Sequence, residues 1–433
     1  MIMDVSKEKC SRLFDESERT DFSPKSARES QYEYLKRSAQ KPDGFIRQIL
    51  EEWFEIYSAN NPKEAEKLRG HLLSKKDDQH FSAFFELYLF TFFKNLGFNI
   101  EIERSVEGSS KKPDFLISDP KTGKQFYLEA RTACEGNINN TREKAINLVI
   151  ERINNKISSL NYTIELYWYG SCWEQDINKQ IMKEIEEWIE NPSHSYRKEF
   201  SNWGFKLEAV SVETSPDIIV SVYKLDKVQV LNEKKINKDS FTENRMDAVE
   251  RIQKALIDKK ASEYGNLEKP YLIALNMIGT YFSISGKIFL KEALFGRKIN
   301  CQMTECGKHF LARAEDGFWS RISDNNPMVS GVFGFFNLVP KTMFECMHNL
   351  NLLPVFINNP VSSHVFDFQE IFDVFDTSGN NQYEFIANPE KIMSVLCLSK
   401  ADWNKVQEED GWGEPYEKKL EEMKVMAEQI LNA

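Results

Sequence analysis

The chain contains no apolar run near the roughly 18 residues that a membrane-spanning helix requires. Its opening, Met-Ile-Met-Asp-Val-Ser-Lys-Glu-Lys-Cys, lacks the apolar stretch of a secretory signal. The seven cysteines are odd in number and scattered. That argues against a disulfide framework and for reduced thiols. There is no Gly-rich phosphate cradle of the Walker type, no Gly-x-Ser-x-Gly elbow and no His-Glu-x-x-His. Nucleotide hydrolysis, serine hydrolysis and zincin proteolysis therefore have no motif to rest on. Internal repeats and long low-complexity tracts are also missing. These absences lead to the expectation of a soluble, cytoplasmic protein without a membrane partner.

What is present describes a folded chain. The 433 residues are 41% hydrophobic and 12% aromatic, enough apolar side chain for two or three domains' worth of core. The net charge of −11 argues against non-specific coating of nucleic acid, because phosphate binding is driven by Lys and Arg releasing counterions. Part of the acid excess lies near the C-terminus, at Glu408-Glu409-Asp410 and Glu421-Glu422. Lys111, Lys112, Lys121, Lys124, Arg142 and Lys144 make the region around residue 120 more balanced, leaving room for a local basic groove.

That region, Lys112 to Arg131, reads as a β-hairpin. Phe115–Ile117 and Phe126–Leu128 are short β-prone runs flanking Asp119-Pro120-Lys121-Thr122-Gly123, a cluster of turn formers. A turn centred between Lys121 and Thr122 sets Asp114 opposite Glu129, with Cβ atoms about 4.5–5.5 Å apart. Carboxylates that close repel unless a cation lies between them. Arg131 emerges on the face of Glu129. The hairpin thus presents two acids and a guanidinium on one surface, an arrangement suited to a metal ion beside a phosphate; an ordinary amphipathic hairpin with surface charges is the alternative.

Upstream, Phe81–Leu96 is apolar around nearly its whole circumference, which predicts a helix buried on most sides. Glu86 is its only acid. A lone buried carboxylate needs a partner, so Glu86 either pairs at the rim or joins Asp114 and Glu129 around a cation. The alternating Phe98–Glu103 predicts a strand between helix and hairpin.

Pro113-Asp114, a spacer and Glu129-Ala130-Arg131 resemble the PD-(D/E)xK phosphodiesterase superfamily, the restriction-endonuclease-like nucleases, with Arg in place of the motif lysine. Glu86 matches, by order and element, the acid that often completes the metal site there. The resemblance implies a core of helix, three strands and helix. It also implies a divalent-metal-dependent nuclease, with Mg2+ or Mn2+ on Glu86, Asp114 and Glu129, and with Arg131 holding the phosphate of a DNA substrate. Such cores occur largely in restriction, repair and phage defence. Arg cannot serve as a base in a protein, so water activation falls to the metal and a nearby carboxylate. A catalytically degenerate nuclease fold, binding nucleic acid or a protein partner or forming a homo-oligomer, is the alternative. Blocks such as Phe84-Phe85-Glu86, Lys269-Pro270-Tyr271 and Asp316-Gly317-Phe318-Trp319 also resemble a group of uncharacterised bacterial proteins that carry them in this order.

The expected fold class is α/β: a mixed sheet with a restriction-endonuclease-like core, an N-terminal helical region and an appended second α/β half. The expected divisions are 1–79 for an N-terminal arm and helices, 80–230 for the nuclease core, 231–375 for a second α/β region and 376–433 for an acidic helical tail. Asn140–Ser158 is expected to close the core as a helix, and Thr163–Tyr169 to extend its sheet. Arg245–Tyr264 reads as a further helix and Tyr271–Met277 as a strand buried on both faces. Cys301, Cys306, His309, Cys346 and His348 contain possible zinc ligands, but their spacing fits no compact finger.

Overall fold

The structure is a computed structural model. It describes residues 12–134 apart from four positions, the strands between 162 and 237, and most of 245–396. Its helices are α1 (Gln31–Arg37), α2 (Lys41–Asn60), α3 (Pro62–Leu72), α4 (Asp77–Asn95), α5 (Arg245–Ile257), α6 (Thr280–Phe295) and α7 (Pro389–Val395). Two helices, not one, form between Gln31 and Asn60. Pro42, in the first turn of α2, lacks an N–H and restricts the residue before it, so a helix starts there but does not run through.

Chain contacts divide the protein into two units, one made of residues 1–21, 35–135 and 246–433, the other of 22–34 and 136–245. The first unit holds an eight-stranded sheet. Its strands are β1 (Asn99–Ile102), β2 (Phe115–Ser118), β3 (Gln125–Cys134), β9 (Tyr271–Ile278), β12 (Val329–Phe336), β13 (Val355–Asn358), β14 (Phe372–Val374) and β15 (Glu384–Ala387). They lie in the order β1-β2-β3-β9-β12-β13-β15-β14. The sheet is mixed: β1-β2-β3 is antiparallel, and β9 runs parallel to both β3 and β12. A separate two-stranded ribbon pairs β10 (Lys298–Gln302) with β11 (His309–Arg313).

The second unit holds a five-stranded sheet of β4 (Tyr162–Trp168), β5 (Tyr196–Asn202), β6 (Phe205–Ser215), β7 (Ile218–Leu225) and β8 (Ile236–Asn237), ordered β5-β6-β7-β4-β8. Here the structure departs from the sequence reading. Residues 162–168 do not extend the hairpin's sheet; they pair antiparallel with β7. On the side away from β2, β3 pairs with β9, the next strand after α5, so the sheet takes strands from both sides of residue 230. Side-chain patterning explains the choice. Tyr-Leu-Ile-Ala-Leu-Asn-Met-Ile in β9 is buried at every position, as a central parallel strand must be. In β4, Thr163, Glu165 and Tyr167 alternate with Ile164, Leu166 and Trp168, the pattern of an antiparallel strand with one wetter face. The helices expected at 140–158 and in the tail lie outside the described residues.

Helix α4 forms the spine of the first unit's core. Tyr88 meets Trp53 on α2 edge-on at 5.9 Å, and Phe90 meets Tyr57 at 4.9 Å. Toward the sheet, Phe85 packs on Phe335 of β12, and Phe93 packs on both Phe126 of β3 and Phe333 of β12. Gly97, at φ +90°, ends the helix, its N–H donating to the Lys94 carbonyl. Such a left-handed C-terminal position strongly favours glycine. Phe98 follows at once and packs on Phe93, turning the chain into β1.

Candidate active site

The hairpin's turn places the acids. Asp119 accepts hydrogen bonds from the Lys121 N–H at 2.8 Å and the Thr122 hydroxyl at 2.6 Å, and Gly123 takes φ +70°. The loop thereby fixes a register of Phe115 with Leu128, Leu116 with Tyr127 and Ile117 with Phe126. Continued by one residue, that register sets Asp114 opposite Glu129. The two are tied reciprocally: the Asp114 N–H donates to Glu129 Oε2 at 3.2 Å, and the Ala130 N–H donates to Asp114 Oδ2 at 2.7 Å. Glu129 is buried, with only 1% of its surface exposed.

Such a carboxylate needs a cation, and Lys259 supplies it. Its Nζ donates to Glu129 Oε1 across 130 positions of sequence. Lys259 lies in the turn that follows α5, and the Tyr271 hydroxyl anchors this turn by donating to the Lys259 carbonyl at 2.9 Å. Its neighbour Asp258 accepts from the Arg131 guanidinium at 3.1 Å. The turn Asp258-Lys259 thus answers Glu129-Ala130-Arg131 with opposite charges. Arg131 is about one third exposed, yet its Nε is buried without a hydrogen-bond partner.

Glu86 approaches from α4. The Tyr57 hydroxyl donates to its Oε1 at 3.2 Å. Burial pushes the Glu86 carboxyl up to about 7, helped by the negative charges of Glu103 and Glu129, while the Tyr57 hydrogen bond and Lys67 act the other way. Burial also holds Asp114 well above the usual carboxylate range, with Glu129 and then Glu86 adding repulsion and Lys259 opposing it. Burial, then the charge of Glu129, raises the phenol of Tyr264, which hydrogen-bonds to Glu129. At the rim, Lys67 of α3 pairs with Glu103 and is raised chiefly by that hydrogen bond. The Glu103 N–H donates to the Asp114 carbonyl at 2.9 Å, and Glu103 has φ +46°, a left-handed backbone uncommon for a non-glycine residue.

The structure therefore brings Glu86, Asp114 and Glu129 within electrostatic reach of one another, with Arg131 beside them. Their oxygens do not form a ready cage: among the described residues no three His, Cys, Asp or Glu side chains are arranged to hold a metal ion. One oxygen each of Asp114 and Glu86 and both of Glu129 accept hydrogen bonds from protein groups. The donor chemistry nevertheless suits a hard divalent cation, being all carboxylate, with two members crowded into raised pKa values that a cation would relieve. Lys259 Nζ is the cation that meets Glu129 as the site stands.

Lys259 is the residue that sequence reading misses. A signal for it exists in retrospect: Asp258-Lys259 is the charge complement of the Glu129/Arg131 pair. Of the possible zinc ligands, Cys301 lies on β10 opposite Phe310 and His309 on β11 opposite Gln302, while Cys306, Cys346 and His348 lie outside the described residues. Searches against protein-family models, curated proteins and solved structures each return no match. Among the described residues no helix is long and apolar enough to cross a membrane.

Proposed function

We propose that the protein is a divalent-metal-dependent phosphodiesterase acting on nucleic acid, with DNA as the expected substrate. In this reading α4, β1, β2, β3 and α5 form a restriction-endonuclease-like core, and residues 136–245 are inserted between its last strand and closing helix. The observation that carries the reading is the opposed pair Asp114 and Glu129, crowded by Glu86 and neutralised by a lysine from a distant turn. A scaffold gains nothing from three acids brought within electrostatic reach of one another, because each must be desolvated and two are held away from their ordinary ionisation.

Glu86, Asp114 and Glu129 would hold Mg2+ or Mn2+. A bound ion of this kind supplies an acidified water and a Lewis acid for the phosphate oxygens. The chain's own cations divide the remaining work. Lys259 places a compact positive charge at Glu129, where it can meet an anionic phosphate oxygen and charge that develops on it. Arg131 offers a fixed fork that can grip phosphate in two places once Asp258 shares it. A guanidinium does not act as a base in a protein, so Arg131 takes no part in proton transfer. A role in restriction or phage defence is part of the proposal only through the resemblance of the motif.

The second reading, a nuclease fold used only for binding, draws on the lysine already seated on Glu129. Titration calorimetry with Mg2+ and Mn2+ separates the two. The nuclease reading expects binding that is lost in Asp114→Ala/Glu129→Ala, followed by metal-dependent cleavage of a DNA or RNA substrate. If millimolar metal fails to bind even with a duplex present, the enzyme reading is abandoned.

A further inference from the structure

A cavity of about 210 Å3 lies next to the acid pair on the same sheet. Its floor is the cross-strand pair Leu116 and Tyr127, two positions along from Asp114 and Glu129 on each strand. Residues two apart on a strand share a face and stand roughly 6–7 Å from one another. The cavity therefore begins where the site ends. Val106 adds an apolar side, and Gln125 and Ser105 add neutral hydrogen-bonding groups. Both floor residues are buried, and Lys269 Nζ stands 5.9 Å from the centre of the Tyr127 ring.

The charges around this cavity decide what it accepts. Glu101, Glu107 and Glu268 outnumber Arg104 and Lys269 on its lining, and Arg104 is already paired with Glu101. A phosphate would meet excess negative charge there, whereas Lys259 sits on Glu129, two positions along β3 from Tyr127, and Arg131 lies two positions further on. A neutral, flat ring with hydrogen-bonding edges fits the same walls. The volume is below the roughly 300 Å3 at which sites for drug-sized ligands begin, so it suits one ring system rather than a stacked pair.

We infer that this cavity receives a single unstacked nucleobase from the nucleotide beside the phosphate being cut, so the substrate is single-stranded or locally unpaired at that position. The inference rests on the nuclease reading of the adjacent acids and adds the strand state to it. Enzymes that hold a base outside the helix read it by apolar contact with its faces and by hydrogen bonds to its edge; here the edge contacts fall to Gln125 and Ser105.

The test uses the full chain with Mn2+ and two fluorescein-labelled probes: oligothymidylate, and the same sugar-phosphate chain with abasic residues throughout. A third arm uses Ser105→Trp, an exposed loop position at the cavity rim whose indole would fill the space. Removing the bases is expected to raise KM about tenfold, the scale set by one stacked base. Ser105→Trp is expected to raise KM for oligothymidylate similarly, with kcat and calorimetric metal binding unchanged. If wild type cuts both probes with equal KM, the nucleobase assignment is wrong and the nuclease reading survives. If wild type cuts neither and its metal binding ignores Asp114→Ala, the nuclease reading fails and takes the subsite with it. The abasic arm decides the matter even if Ser105→Trp folds poorly.

Discussion

Glu86 offers the sharpest test, because its burial is costly to the fold and useful to the proposed site. Its carboxyl is pushed from an ordinary 4.5 up to about 7, mainly by burial. A carboxyl with a raised native pKa binds more protons folded than unfolded between those two values, so stability falls as pH rises from about 4.5 through about 7. A tenfold change in proton affinity on folding is worth about 1.4 kcal/mol. The full penalty above pH 7 is then about 3 kcal/mol, or about 1–3 kcal/mol allowing for the part of the side chain that still meets water. Glu86→Gln removes the titration and keeps an oxygen for the Tyr57 hydroxyl. Urea unfolding in EDTA should therefore find Glu86→Gln more stable than wild type by about 1–3 kcal/mol at pH 8, with the gap closing by pH 4.5. Adding Mg2+ or Mn2+ at pH 8 should reverse the order, since a ligand stabilises only the state that binds it. A Glu86→Gln protein that is less stable than wild type at pH 8 without metal would refute the burial argument. Equal stabilisation of both proteins by metal would remove Glu86 from the proposed ligand set.

Other expectations follow from the same geometry. Metal affinity should weaken between pH 8 and pH 6, because protons compete at Glu86 and Asp114, whose carboxyls are both raised; calorimetry in buffers of different ionisation heat should detect proton release on binding. Lys259→Ala leaves Glu129 buried without its cation and should lower stability by about 3 kcal/mol in EDTA, with cleavage falling at least about a hundredfold in single-turnover assays. Arg131→Lys should keep or raise cleavage if the site acts on phosphate, and change nothing measurable if the fold is a scaffold. Away from the site, Gly317→Ala should cost more in urea unfolding than Gly334→Ala. A Cβ at Gly317 meets the Gly296 nitrogen and the Phe295 carbonyl carbon within 2.4 Å, whereas at Gly334 the nearest atom, at 2.5 Å, ends a Leu290 side chain that can turn aside. Overpacking of the second kind typically costs about 1–3 kcal/mol.

The parts of the fold legible in the sequence are those fixed over short distances. The hairpin register follows from Asp119 to Gly123, because the turn chemistry alone sets which residues face each other. The burial of α4 follows from its apolar circumference, and β9 is recognisable as an interior strand from composition alone. Where β9 goes is not recognisable. Its parallel pairing with β3 joins residues separated by residues 136–245 of the second unit, and a local pattern carries no address for such a partner. The nearer strand β4 is the natural expectation on chain order, and only its alternation argues against it. The same distance hides half the site. On the resemblance alone, Arg131 reads as a defect, since a lysine stands at that place in the motif resembled. With β9 beside β3 and α5 leading into it, the guanidinium instead engages Asp258, the residue that brings Lys259 onto Glu129. On the proposed nuclease reading, Arg131 and the distant lysine are then one feature, in which a turn that the arginine helps to hold brings a lysine onto Glu129. The Asp258 contact thus has an electrostatic reason. Without the Arg131 charge, the turn carrying Lys259 would lose its Asp258 contact and keep the Tyr271 hydroxyl bond to the Lys259 carbonyl and the Lys259 bond to Glu129.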